Sequence, residues 1–153
     1  MIQSLILNES LDILVTGNSK IGLLRDSTNS KINKIESWQN SIINQTKSES
    51  LIRKERCEIC NSKEDCFEGH HIAGKKHDFR MITTCLSCHK PLSDSQKLWD
   101  RRWLLQDQSE NLRQAFFLHG LQDILILKSK KTGNSLYETL GNSYTEIISE
   151  LLK

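Results

Sequence analysis

Proline is nearly absent from this chain, with one residue in 153, and glycine is scarce at seven. So few breakers argue against a fold of many short strands and tight turns, and favour long helices. Long apolar runs are missing too: no stretch approaches the ~18–20 residues needed to cross a bilayer. The opening Met1-Ile2-Gln3-Ser4-Leu5 has no basic segment ahead of a long apolar core, so a secretory signal is not expected. The expected compartment is therefore the cytoplasm, with no membrane partner. Neither charge sign dominates: 21 Lys and Arg face 19 Asp and Glu, a net charge of +2. That is too little for whole-molecule attraction to nucleic acid. Local basic clusters exist at Arg53-Lys54 with Arg56, at Lys75-Lys76 and at Arg101-Arg102, and each taken singly reads as a solvated surface.

What is present divides the chain into three stretches. Residues 1–52 read as a helical extension. Leu5, Ile6, Leu11, Ile13, Leu14 and Val15 make a short apolar helix closed by Gly17-Asn18, and Ile32, Ile35, Trp38 and Ile42 recur at helical spacing. Gln45–Ser50 is polar and reads as a frayed helix end or a linker. In residues 53–92 the periodicity stops, and all five cysteines and four of the five histidines fall between Cys57 and His89. Met81-Ile82-Thr83-Thr84 is a β-prone run just before the second cysteine pair. Residues 93–153 return to helix. Ser93 and Gln96 have capping-box spacing, predicting a helix that turns Leu98, Trp99, Trp103 and Leu104 inward. A second helix is predicted from Glu110 to about Lys128. Thr132-Gly133-Asn134 marks a break, and Ser135 with Glu138 opens a last helix with Leu136, Leu140, Tyr144, Ile147 and Leu151 on one face. These helices are expected to pack on the central segment or to mediate contacts with another copy or a protein partner.

Cys57-Glu58-Ile59-Cys60 and Cys85-Leu86-Ser87-Cys88 are two CxxC steps separated by residues 61–84. Each step puts two thiolates on one tight turn, and two such turns complete the tetrahedral all-sulfur shell that Zn²⁺ prefers. In a reducing compartment the pattern means metal before disulfide. A closed four-cysteine shell has no position for water or substrate, so this zinc is expected to be structural. Cys66 is the odd thiol and reads as a small buried hydrophobe.

Between the steps stands Glu68-Gly69-His70-His71-Ile72-Ala73-Gly74-Lys75-Lys76-His77-Asp78, and the second step runs on into His89. CxxC, His-His-Ile, a polar middle residue and then CxxC-His resembles the zinc-containing HNH endonucleases of the His-Me finger superfamily. The resemblance covers about residues 53–92, roughly a quarter of the chain. It implies an α+β fold: a ββα-metal core with two zinc knuckles, embedded between mainly α-helical N- and C-terminal segments. It also implies one catalytic divalent cation. By resemblance His71 matches the general base, and His70 and His89 match the metal ligands. His77 is the best-placed counterpart of the middle residue, which is usually Asn, and is expected to be catalytic by orienting substrate or the base; Arg80 is the alternative. The implied cation is Mg²⁺, Mn²⁺ or Ni²⁺, and a set built on two imidazoles suits Mn or Ni better than Mg, which prefers oxygen. Glu68 and Asp78 read as solvated acids, and His119 as structural.

These residue types suit phosphodiester hydrolysis without the family. Histidine is the side chain whose ordinary pKa fits a base near neutrality, and a divalent cation stabilises the charge that builds at phosphorus. The expected activity is metal-dependent hydrolysis of DNA, with Lys75, Lys76 and Arg80 contacting phosphates. DNA is the default from the resemblance, and no aromatic-rich strand points to single-stranded RNA. Two other readings stay open. One is a non-catalytic zinc module that binds nucleic acid or protein; the other is the nuclease subunit of a larger defence or mobile-element complex.

Overall fold

The computed structural model describes residue 23 and residues 25–153; the apolar helix expected over residues 5–15 lies outside the described residues. The chain divides into two units, Met1–Gln39 and Asn40–Lys153, and every cysteine and histidine belongs to the second. Its architecture is mixed and helix-rich, with one small two-stranded antiparallel sheet. No helix of the described residues is long and apolar enough to cross a membrane.

Helix α1 covers residues 25–43. The polar stretch after it is neither frayed nor a linker. Thr46 caps a single turn, α2 (Lys47–Ser50), in a reciprocal capping box with Glu49. Just before it, the Gln45 side chain accepts from the Met81 amide at 2.8 Å and donates to the Met81 carbonyl at 3.0 Å. An amide side chain offers one acceptor and one donor side by side, so Gln45 completes the sheet edge as a neighbouring strand would.

Strand β1 (Glu68–His71) pairs antiparallel with β2 (Met81–Thr84), in the register Glu68–Thr84, Gly69–Thr83, His70–Ile82 and His71–Met81. The β-prone run forms β2 as expected. Helix α3 (Leu86–Gln96) follows at once, with Cys85 in the N-cap position. The capping-box reading of Ser93 and Gln96 is therefore corrected: the helix ends where it was expected to begin. Pro91 lies inside it and removes one backbone donor. Burial of Cys88, Leu92 and Gln96 outweighs that loss, and the buried Gln96 donates from Nε2 to the carbonyls of His71 at 2.9 Å and Ile72 at 3.2 Å. One side chain thus ties the end of α3 to the end of β1.

With α3 ended, Leu98 and Leu104 are not core residues. They are 86% and 58% exposed, Leu98 just after α3 and Leu104 at the end of a 3₁₀ turn, Arg101–Leu104, that Asp100 caps. Trp99 is buried as expected, and its indole N–H meets Asp123 Oδ2 at 3.0 Å. Helix α4 (Glu110–Thr132) starts at a Ser109 cap and stops at Gly133, which has φ 70°. Its Phe116, Leu121, Ile124 and Leu125 share the core with Ile59, Ile72, Ile82 and Leu92.

The single last helix expected from Ser135 is two helices, α5 (Ser135–Ser143) and α6 (Thr145–Leu151), meeting at Tyr144. Asn134, not Ser135, supplies the cap, its side chain accepting from the Leu136 amide at 3.2 Å. The break rotates the apolar face, so Ile148 is buried while Ile147 is 51% exposed.

Gly120 allows the closest approach in this core. A Cβ there would fall 1.9 Å from the carbonyl oxygen of Ile72. Alanine in a helix interior ordinarily gains about 1 kcal/mol over glycine. Here we expect Gly120→Ala to destabilise the zinc-loaded protein by about 1–3 kcal/mol, because α4 must move off rigid strand-end backbone. Urea unfolding of the two proteins checks this, and a higher midpoint for the variant would contradict the packing described.

Candidate functional site

The two CxxC steps converge. The first turn is closed by Asn61 N–H to the Cys57 carbonyl at 2.9 Å and Cys57 N–H to the Ser62 carbonyl at 3.0 Å, with Asn61 left-handed at φ 60°. It docks on β2 through Glu58, whose N–H meets the Thr83 carbonyl at 2.9 Å and whose carboxylate accepts from the Thr83 amide at 2.7 Å. The second turn follows β2 directly, with the amides of Cys88 and His89 returning to the Cys85 carbonyl at 3.1 and 2.9 Å.

The ligand atoms of Cys57, Cys60, Cys85 and Cys88 all lie within 4.8 Å of one another, and Cys60 Sγ is 3.7 Å from Cys85 Sγ. A tetrahedron with zinc–sulfur bonds of about 2.3 Å has edges of about 3.8 Å. The cluster therefore fits a metal ion such as zinc. Among the described residues no other group of three or more His, Cys, Asp or Glu side chains meets that test. Burial pushes the Cys57 and Cys88 thiols up. Burial also raises Cys60, but hydrogen bonds with Ser62, Cys57 and Cys85 outweigh it and bring that thiol down to about 6. Four thiolates this close repel one another, and a divalent cation at their centre removes that cost.

Lys128, which the sequence does not single out, brings a positive charge to this cluster from α4. Its ammonium donates to the Glu58 carbonyl between the first two cysteines and lies 5.3 Å from the centre of the Tyr137 ring. Burial lowers its pKa, while Glu58, Cys57 and Cys60 oppose that shift. Cys66 is exposed, not buried, in the loop before β1: the loop around it is solvent-facing and offers it no core to join.

Because side chains alternate along a strand, Glu68 and His70 share one face of the hairpin while Gly69 and His71 share the other. The first face looks onto α3. His70 is 3% exposed and meets His89 edge-on, with ring centroids 5.3 Å apart. Glu68 Oε2 lies 2.9 Å from His89 Nδ1, so Glu68 is a partner of the pair rather than a solvated acid. A carboxylate on Nδ1 leaves Nε2 as the free lone pair, the arrangement common among metal-binding histidines. Burial, then the neighbouring His89 and His71, brings His70 down to about 3. It is neutral at pH 7, the form that can bind a cation.

On the opposite face His71 is half-buried. Burial first, then the cations Lys75 and Arg53, lower its pKa against a smaller opposing pull from Asp78. Its imidazole is thus unprotonated near neutrality and able to accept a proton.

The remaining candidates sit elsewhere. His77, 7% exposed, packs its ring 4.9 Å from Phe116 and brings Nε2 to 2.7 Å from the Trp103 carbonyl. Arg80 is held by Asp78 in a two-pronged pair at 2.8 and 2.7 Å, and its guanidinium lies 3.7 Å from the Phe117 ring centre. His77 and Arg80 both line a cavity of about 590 Å³ against α4. Lys76 spends its ammonium on the Leu104 carbonyl at 2.9 Å, while Lys75 is exposed. His119 stacks on Trp99, with centroids 4.5 Å apart.

Comparison of the chain with protein-family models, with curated proteins and with solved structures gives no match in any of the three.

Proposed function

We propose that this chain is a metal-dependent endonuclease of the HNH type that hydrolyses phosphodiester bonds of DNA, with a structural zinc on Cys57, Cys60, Cys85 and Cys88. The observation that carries the reading is the juxtaposition of His70 and His89, rings 5.3 Å apart, across a β-hairpin and the helix that leaves the second cysteine turn. Strand, strand and helix are the order such a site requires, and the cysteine cluster at the head of α3 fixes where His89 stands.

His70 and His89 would hold the divalent cation, with Glu68 orienting His89 through Nδ1. When bound, that cation supplies charge stabilisation at the phosphoryl and leaving oxygens. His71 accepts the proton of the attacking water, a role its lowered pKa permits at neutral pH. In this reading His77 holds the loop between the strands to the Trp103 backbone and takes no part in proton transfer.

The test is plasmid cleavage by zinc-loaded protein in Mg²⁺, Mn²⁺ and Ni²⁺, parent against His89→Ala, with zinc quantified in both. Cleavage by the parent, strongest in Mn²⁺ or Ni²⁺, with a loss of at least about a hundredfold in the variant at equal zinc content, is the expected result. Equal cleavage by both would dismiss the His70–His89 pair as the cation site.

A further inference from the structure

We infer that Arg53 is a phosphate-binding residue: its guanidinium, anchored over Gly69 beside His71, takes a backbone phosphate of the nucleic acid. This rests on the nuclease reading and extends it to a residue outside the His-Cys motif. Arg53 Nη1 donates to the Ser50 carbonyl at 3.0 Å, and Nη2 points to Met81 Sδ at 3.9 Å. The next amide, Lys54 N–H, bonds Thr83 Oγ1 at 3.0 Å. The segment around Arg53 is therefore pinned to α2 on one side and to β2 on the other.

Gly69 makes the placement possible. A Cβ at that position would stand 2.2 Å from Arg53 Nη2 and 2.4 Å from its guanidinium carbon. Glycine weakens a strand interior, and its presence often marks a close approach; here the group that approaches is a cation. Gly69 and His71 lie on the same face, and Met81, which Arg53 also touches, pairs directly with His71. The guanidinium thus lies along the row of side chains that ends in His71.

It also lacks the acid that occupies its neighbours. Lys54 pairs with Glu58, Arg80 with Asp78 and Arg102 with Asp100, whereas Arg53 has no carboxylate partner among the described residues. A guanidinium carries five N–H donors in a planar fork, and the two contacts made here leave donors facing solvent. A fixed cation with spare donors, on the hairpin face that carries His71, matches the two oxygens of a phosphodiester. Exposed Lys75 lies in the turn that follows β1.

The experiment is duplex-DNA binding by fluorescence anisotropy over a salt series, without added divalent cation, alongside cleavage in Mn²⁺. Zinc-loaded parent, Arg53→Gln, Arg53→Lys and Gly69→Ala are compared at equal zinc content. Arg53→Gln is expected to weaken binding about tenfold and to reduce the salt slope by about 1, the loss of one phosphate contact. Arg53→Lys should recover most of the slope but not the cleavage rate, since an ammonium cannot reproduce the fork. Gly69→Ala, which displaces the guanidinium without removing it, should move both readouts as Arg53→Gln does and keeps the test decisive should that variant not fold. A parent that cleaves, with variants matching it in slope and affinity, overturns the Arg53 assignment alone. A parent that neither binds nor cleaves DNA with any cation overturns the nuclease reading and this inference together.

Discussion

Cys88→Ser is expected to lose the bound metal and, with it, the folded state of the hairpin, both cysteine turns and the start of α3. Cys88 is fully buried at the first turn of α3, and its amide already bonds the Cys85 carbonyl. No other thiol can replace it, since Cys66 is exposed and outside the cluster. Structural zinc sites contribute apparent binding energies of about 10–16 kcal/mol at neutral pH, comparable with the whole of a domain's stability at about 5–15 kcal/mol. The hairpin is short, four residues per strand, and the two Glu58 bonds that brace its Thr83 come from the first cysteine turn, so they are lost with the metal. Helices α4 to α6 pack on one another, so helical circular dichroism should fall in part, not vanish. The measurement is zinc per chain by atomic absorption together with thermal unfolding. Parent should hold one zinc, Cys88→Ser less than a tenth of that, and chelation of the parent should reproduce the variant. Cys66→Ser is the control and should behave as the parent. A Cys88→Ser protein with full zinc and an unchanged Tm would mean that the cluster does not hold the fold.

The same cluster shows which parts of this fold were legible. Two CxxC steps state a ligand set in local sequence, and the β-prone Met81–Thr84 run between them formed the strand expected of it. Helix α4 was legible because its apolar positions recur over many turns and its ends carry a serine cap and a left-handed glycine. What failed depended on partners distant in sequence. The Ser93–Gln96 pattern is a sound local signal, yet Cys85 had already started the helix and Gln96 was needed to bond the His71 and Ile72 carbonyls. Leu98 and Leu104 followed it out of the core. Likewise, nothing local to Gln45 tells that Met81 will be beside it, or that Lys128 will reach the Glu58 carbonyl. Among the candidate residues, the motif named His70 and His89 together, and their rings stand 5.3 Å apart, whereas the contacts of Glu68 and Gly69 needed the strand register to emerge.

The strand register also divides the histidines of β1 by face, and His71→Ala is the variant that tests the roles proposed for them. In zinc-loaded protein it is expected to lower kcat for plasmid cleavage by about 10²–10⁴-fold, the usual contribution of a positioned base. Zinc content and Tm should stay at parent values, because among the described residues the half-buried imidazole makes no hydrogen bond that the fold needs: Gln96 bonds the His71 backbone carbonyl, which alanine retains. His77→Ala should do the reverse. Its ring fills space between Trp103 and Phe116, and its Nε2 contact satisfies the Trp103 carbonyl. Removing it leaves that carbonyl unpaired and opens a void, costing about 2–4 kcal/mol in stability. Per folded molecule, its cleavage rate should stay within a few-fold of the parent. If instead His77→Ala abolished cleavage at parental stability while His71→Ala cleaved normally, the base would sit in the loop between the strands. The hairpin face that carries Arg53 and His71 would then have no part in the chemistry.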